Sequence, residues 1–453
     1  MNRLPSSFRD PAGFVFKKEG NIYRNVLSAG QADYDALMDS GLYESLTKKG
    51  YLLEHDEVET SDGAYKTLKP LQIPFITYPY EWSYGQLKDA ALLTLFVQKE
   101  ALKKNMCLKD ASAYNIQFLN GKPVFIDTLS FEPYVVGQPW VAYKQFCQHF
   151  LGPLALAAHS DIRCLYMLRT HIDGLPLDLV SALLPTRTRF KFSLATHIHI
   201  HAKTQGKYAN KAVDVSKKGS VSALGMSGLI DNLLTAVKGL KWNPKGTEWG
   251  NYYEFTNYSS VAFDHKKDIV SNFIKEVNPI TLWDLGANDG TFSRLASNAG
   301  VQTMSYDIDP IAVEKNYRRV RKEGTKNLLP ALLDLTNPSP SIGWANTERD
   351  SIEKRGKVDV VMALALVHHL SISNNTPLDS VASYFQSLCK YLIIEFVPKG
   401  DSQVDILLTT RTDIFPNYTL QGFEKAFLPF FDVIQKVGVN ESTRTMYLLK
   451  SKH

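Results

Sequence analysis

Apolar positions along the chain follow two regimes. From Phe8 to about Ala202 aromatic and aliphatic residues are dense, and two runs have clear periods: GFVFKKEGNIYRNV alternates like a hairpin and DAALLTLFVQKEAL repeats like a helix. Beyond about residue 250 the pattern alternates regularly. DHKKDIVSNFIKEV reads as a helix, ITLWDLG as a buried strand, and TFSRLASNAG as a helix stopped by Gly300. VQTMSYD, NLLPALLD, KVDVVMALALV and YLIIEFV follow as apolar runs of strand length, separated by the helix-like PIAVEKNYRRVRKEG and PLDSVASYFQSLCK. Strands alternating with helices predict an α/β fold of right-handed βαβ units around a parallel sheet buried on both faces. FFDVIQKVGV and STRTMYLLKS close the chain as a terminal hairpin.

Between the regimes lies a change of composition. Residues 203–245 hold eight lysines against Asp214 and Asp231, with the Gly- and Ser-containing run KKGSVSALGMSG. This suits an exposed connector, inside which GLIDNLLTAVKGL has the period of one amphipathic helix. The basic run reads as solvated, ahead of a contact with phosphate or acidic lipid. The predicted organisation is an α+β domain over 1–202, a basic linker over 203–248 and an α/β domain over 249–453.

Total length and charge agree with that division. A chain of 453 residues, 44% hydrophobic and 21% charged, has room for two or three domains of roughly 150 residues each. Much of the net charge of +5 sits in the connector, so it does not argue for nucleic acid as a partner. The opening MNRLPSSFRDPAGFVF lacks the apolar core of a secretory signal. The longest apolar run, 360–367, is far short of the roughly twenty residues of a membrane span. Cys107, Cys147, Cys164 and Cys389 are isolated, as expected of thiols in a reducing compartment. A cytoplasmic protein without a membrane span is the expectation.

The chemistry concentrates at one loop. WDLGANDGTFS joins a buried strand to a helix, placing Asp284, Gly286, Asn288 and Gly290 at the strand's carboxyl end, where open α/β sheets bind ligands. Glycine permits close approach, exposed loop N–H groups supply donors, and the helix adds a positive end. The next strand ends in Tyr306-Asp307-Ile308-Asp309, whose acids suit a ribose diol, and a third ends in Asp334.

In this order the residues resemble the class I S-adenosylmethionine-dependent methyltransferases, over about residues 251–453. The resemblance implies a doubly wound, Rossmann-like sheet of seven strands with the hairpin last, and S-adenosyl-L-methionine as cofactor. Carried over position by position, Gly286 and Gly290 flank the methionine part, Asp307 or Asp309 holds the ribose, and Asp334 meets the adenine amine. Asn288 stands where many members have glycine, and asparagine also tolerates left-handed backbone. Tyr258, before the first strand, is a candidate to cover the cofactor, or plain packing.

The fourth strand leads to Val367-His368-His369-Leu370. Because a sulfonium methyl is already electrophilic, the protein must align the acceptor and accommodate a proton, a task that suits a histidine. His368, His369 and the strand-end Glu395 are the catalytic candidates, each with a purely structural alternative. Family members that methylate amide or exocyclic nitrogen often carry Asn/Asp-Pro-Pro-aromatic here, and VHHL points instead to oxygen or carbon. Asn337-Pro338-Ser339-Pro340 follows the third strand and is misplaced for that motif.

In the first 202 residues, LKDASAYNIQFLNGKPVFIDTLSFE resembles the catalytic segment of protein-kinase-like phosphotransferases. Asp110, Asn115 and Asp127 would then form an ATP and magnesium site. Leu108-Lys109 replaces the usual residues before the first Asp, and neither a glycine-rich phosphate loop nor a phosphate lysine stands out. The alternative is that all three are turn residues. His197, His199 and His201 would share a face as a strand, whereas a helix pairs only the outer two; no metal is assigned. Trp140, Tyr143, Phe146 and Phe150 form a helical core stripe.

The resulting expectation is methyl transfer to an oxygen or carbon of an unidentified acceptor, a small molecule or glycan ahead of RNA. The competing expectations are a non-enzymatic S-adenosylmethionine sensor and a bifunctional kinase-like methyltransferase.

Overall fold

The computed structural model describes residues 2–60, 63–203, 221–244, 259–409 and 412–452. The chain folds as two compact units, Met1–Pro244 with Gly343–Arg349, and Lys245–Ile342 with Asp350–His453.

The first unit is α+β. Strands β1 (Asn2–Arg3), β2 (Gly13–Lys18), β3 (Asn21–Val26), β4 (His55–Val58) and β5 (Lys66–Pro70) form an antiparallel sheet in the order β1-β2-β3-β5-β4. Helices α1 (Gln31–Asp39) and α2 (Leu42–Lys48) lie between β3 and β4 in sequence. Helix α3 (Tyr84–Lys103) begins at a capping box, with Ser83 Oγ accepting from Gln86 N and the Gln86 side chain from Ser83 N. It leads to β6 (Met106–Leu108), β7 (Ile116–Leu119), β8 (Lys122–Phe125) and β9 (Phe131–Pro133), paired as β6 with β9 and β7 with β8. Asn120 and Gly121 take positive φ in the β7–β8 turn, as a two-residue hairpin loop requires.

The described part of the connector is not a linker. Helix α4 (Ala223–Gly239) belongs to the first unit because its stripe of Met226, Ile230, Leu233, Leu234 and Val237 is buried. Lys99 pairs with its Asp231 at 2.7 Å, and Lys88 donates to Leu240 O just beyond it. The Trp140–Phe150 stripe is core, with Trp140, Phe146 and Phe150 buried and Tyr143 half-buried.

The second unit holds one seven-stranded sheet. Its strands are β10 (Thr281–Leu285), β11 (Gln302–Asp307), β12 (Leu328–Leu332), β13 (Val358–Ala363), β14 (Cys389–Phe396), β15 (Phe431–Gly438) and β16 (Thr445–Ser451). The order is β12-β11-β10-β13-β14-β16-β15, with β10 to β14 parallel and β16 antiparallel to both its neighbours. Every strand appears where the apolar runs predict it, and the terminal hairpin inserts β16 beside β14. Helices α5 (Ser260–Val277), α6 (Ser293–Asn298) and α7 (Pro310–Glu323) connect through the first half of the sheet, and α8 (Leu378–Leu388) and α9 (Leu420–Phe427) through the second. Strand order reverses between β10 and β13, which brings the loops after these two strands together. No described helix is long and apolar enough to cross a membrane.

Candidate functional site

At the end of β10 the chain turns through Gly286 (φ +76°), Asn288 (φ +51°) and Gly290 (φ +76°). Asn288 thus adopts the left-handed geometry that asparagine tolerates. A Cβ on Gly286 would lie 3.3 Å from Leu366, and one on Gly290 would lie 2.4 Å from Asn316 Nδ2. The second glycine is required by crowding as well as by φ.

The loop's N–H groups do not project as free donors. Gly286 N and Ala287 N donate to Tyr306 O, Asn288 N to Asp307 Oδ2 at 2.7 Å, and Asp289 N to Asn288 Oδ1. Gly290 N donates to Ala287 O and Thr291 N to Asp289 Oδ1. The loop is therefore a self-satisfied ledge, and the helix that follows has only six residues. What it offers a ligand is close approach, with polar recognition left to side chains.

Asp284 lies beneath that ledge. Its Oδ2 accepts from Ser293 Oγ at 2.5 Å, Ser293 Oγ meets Ser305 Oγ, and Ser305 Oγ accepts from Asn316 Nδ2. Arg294 completes the chain by donating to Asn316 Oδ1 and to the carbonyls of Asp289 and Gly290. Burial pushes the Asp284 carboxyl up to about 7. Sequence reasoning missed Ser293, Ser305, Asn316 and Arg294, which clamp the loop from below.

Asp307 and Asp309 take different roles. Asp307 closes β11, accepting from Asn288 N and from Asp309 N, and burial pushes its carboxyl up to about 6. Asp309 caps α7 through Ile311 N at 2.8 Å, with Pro310 in the first turn. Asp334, half-buried after β12, accepts from Thr336 N and Thr336 Oγ1. Tyr258 lies outside the described residues.

Past β13, Ala365 is held at φ +49°, a costly conformation for a residue with a Cβ, and Leu366 packs against Gly286. His368 follows, 1% exposed, with neither ring nitrogen bonded, its ring 4.1 Å from that of half-buried His369. Burial lowers both imidazoles, His369 to about 4, so both are neutral near pH 7.

The structure corrects the reading of Glu395 as a free acid at the rim. Fully buried, it accepts from Lys266 Nζ at 2.7 Å and lies 3.6 Å from Arg444, which also pairs with Asp401 at 2.7 Å. Lys266 sits over the Phe292 ring at 4.8 Å. One signal was available for Lys266: it interrupts the apolar stripe Ala262, Ile269, Val270, Phe273 of α5 at a core position.

In the first unit Asp110, Asn115 and Asp127 converge. Asp110 accepts from Gln145 Nε2 and Ser112 N, and burial together with Asp127 raises its carboxyl. Asn115 donates to Ser130 Oγ, and Ser130 Oγ donates to Asp127 Oδ2. Arg24 on β3 fills the remaining place, bonding Asp127 Oδ1 at 2.7 Å and Asp10 Oδ2 at 2.6 Å. With its cation supplied by the chain, this corner does not fit magnesium, and the expectation of an ATP and magnesium site is withdrawn. Lys109 pairs with Asp33.

The three histidines lie on a π-helical turn over Ala195–Ile200 and its extension, not on a strand. His197 bonds Tyr143 and Asn232, and His199 bonds Ser181 and Thr188, so both nitrogens of each are committed. Among the described residues no group of three or more His, Cys, Asp or Glu is placed to hold a metal ion.

Over nearly its whole length the chain is 36% identical to nodulation protein NoeA of Rhizobium meliloti (strain 1021), across 456 residues, 98% of this chain and 95% of the relative. The chain belongs to the NoeA family. No protein-family model matches this NoeA-family chain. Among solved structures it is similar to the N-methyltransferase NodS of Bradyrhizobium japonicum WM9, with 8% identity and TM-score 0.33, over 43% of this chain and 99% of NodS. It is also similar to magnesium protoporphyrin IX methyltransferase of Synechocystis PCC 6803 with bound SAH, with 17% identity and TM-score 0.31, over 42% of this chain and 84% of that one. A third is the bifunctional kinase-methyltransferase WbdD, with 14% identity and TM-score 0.29, over 42% of this chain and 40% of WbdD.

Proposed function

We propose that the second unit transfers the methyl group of S-adenosyl-L-methionine to an oxygen or carbon of a small-molecule or glycan acceptor. The observation that carries this reading is the sheet order, with β16 antiparallel beside β14, combined with the glycine ledge after β10 and Asp307 beside it.

The residues fit that cofactor chemically. A ledge with positive φ at Gly286 and Gly290 admits a ligand close to the backbone, and the Asp307 carboxylate accepts hydrogen bonds from a ribose diol. Asp307, at the end of β11 beside the ledge, is taken as the ribose residue of this reading, with Asp309 at the start of α7 as the alternative. Asp334 is assigned to the adenine amine. Bound S-adenosylmethionine supplies an electrophilic methyl on a sulfonium. The chain's own contribution is alignment of the acceptor beside the loop after β13. At that loop His369 or His368, neutral and made a weak base by burial, is the candidate to take the acceptor's proton. Glu395 is held as a buried counter-ion and takes no step. The first unit, kinase-like in its catalytic segment, serves acceptor recognition.

Titration calorimetry with S-adenosylmethionine and with NAD is the first test, and binding of NAD alone would sink the proposal. Incubation of extracts with methyl-labelled cofactor then sorts label among small molecules, glycan, protein and RNA. Label confined to RNA contradicts the acceptor assignment.

A further inference from the structure

The segment Pro185-Thr186-Arg187-Thr188-Arg189-Phe190-Lys191-Phe192 touches the clusters of the first unit described above only through Thr188, which bonds His199. It carries three cations and two phenylalanines within six residues and no acid. Phe190 is 87% exposed and Phe192 74%, whereas a phenylalanine normally contributes to a core. Leu183, at the end of the helix that precedes the segment, and Ile200, at the end of the turn that follows it, are also exposed.

The presentation is fixed by the fold. Thr188 points inward, fully buried, its hydroxyl bonded to His199 Nε2 at 2.9 Å and to Pro185 O at 2.7 Å. The same His199 bonds Ser181 through its other nitrogen, tying the 177–183 helix to the segment. The backbone closes on itself through Lys191 N to Thr188 O and Ala195 N to Lys191 O. With position 188 anchored, its neighbours are turned outward as a rigid projection.

The cations there are uncompensated. Arg187 donates to the carbonyl of His159, and Lys191 meets His159 Nε2 at 3.3 Å. Among the described residues no carboxylate pairs with Arg187, Arg189 or Lys191. Asp161, two residues after the His159 that Arg187 and Lys191 meet, pairs with Arg163 at 2.8 Å.

We propose that this projection docks the protein peripherally on an anionic membrane surface, with Phe190 and Phe192 entering the headgroup boundary and Arg187, Arg189 and Lys191 meeting lipid phosphates. Basic side chains interleaved with exposed aromatics match a negatively charged interface in both charge and polarity. A single-stranded nucleic acid would use the cations and rings but has no use for the exposed aliphatic side chains of the flanking Leu183 and Ile200, which hydrocarbon accepts equally. The surface belongs to the first unit and is independent of the methyltransferase reading.

The full-length protein is floated with vesicles of phosphatidylcholine alone and with vesicles containing about 30 mol% phosphatidylglycerol. Binding is expected only to the anionic vesicles and is expected to disappear above about 0.5 M salt. R187Q/R189Q/K191Q should weaken it by roughly a hundredfold. F190S/F192S should abolish flotation with no loss of melting temperature, because neither ring is packed. In F190W, tryptophan emission should shift to the blue on adding anionic vesicles. The proposal is overturned if wild type fails to float, or if F190S/F192S floats undiminished. It is equally overturned if an RNA oligonucleotide binds with the affinity lost on vesicles, or if F190S/F192S converts a soluble dimer to a monomer.

Discussion

Lys266 Nζ and Glu395 Oε2 lie 2.7 Å apart with both side chains shut off from water. Desolvation lowers the lysine, while the carboxylate beside it favours the charged form. Attraction in such a place is offset by the cost of dehydrating two ions, so the pair matters most when it is broken. Lys266→Met removes the cation 2.7 Å from the buried Glu395, with Arg444 at 3.6 Å, and a loss of about 3–5 kcal/mol is expected in urea unfolding. The double variant Lys266→Met/Glu395→Leu should recover most of it. Equal losses in the single and double variants would mean that the lysine acts only through packing.

Gly290→Ala places a methyl group 2.4 Å from Asn316 Nδ2 and holds alanine at φ +76°. The strain amounts to about 1–3 kcal/mol, and relief requires moving Asn316 or Arg294, which clamp the loop. Melting temperature and S-adenosylmethionine affinity should fall together. Asn288→Gly keeps the left-handed backbone but loses the acceptor for Asp289 N, so it should lower both by less than Gly290→Ala does.

The order of the strands was readable because each parallel strand of the second unit is a continuous apolar run between helices of clear period. The ledge glycines and Asp307 were readable because they punctuate that pattern. Lys266, Arg444 and Asp401 were not, since their meeting depends on the terminal hairpin inserting beside β14, a pairing between residues far apart in sequence. The first unit was opaque for a related reason. Asp127 lies in a recognisable segment, but its partner Arg24 sits about a hundred residues earlier on an ordinary hairpin.

Asp284 gives a pH signature. Its carboxyl, near 7 in the folded chain and 3.8 in the ordinary state, binds its proton more tightly when folded. The associated stability is complete below about pH 4 and is lost as pH rises through 7. The difference in unfolding free energy between wild type and Asp284→Asn should therefore change across that window and level off above it. A flat difference curve would place the titration elsewhere.

Arg24→Met removes the cation shared by Asp127 and Asp10 and leaves a corner of three acids that includes Asp110. A loss of about 1–3 kcal/mol is expected, tempered because the site is partly open to water. Wild-type melting temperature should not respond to magnesium with ATP. A stabilising response would show that Arg24 yields its place to the metal.

His368 separates structure from chemistry. A buried imidazole with both nitrogens unbonded costs free energy, so His368→Phe, similar in shape and apolar, should retain or raise stability. If the ring accepts a proton during methyl transfer, the same variant should keep cofactor affinity while turnover falls by about 10²–10⁴-fold. His369→Phe is the companion measurement, since only one of two adjacent rings is needed as the acceptor. Undiminished turnover in both single variants and in the double variant would remove these histidines from the mechanism and leave alignment beside the strained Ala365 as the source of the rate.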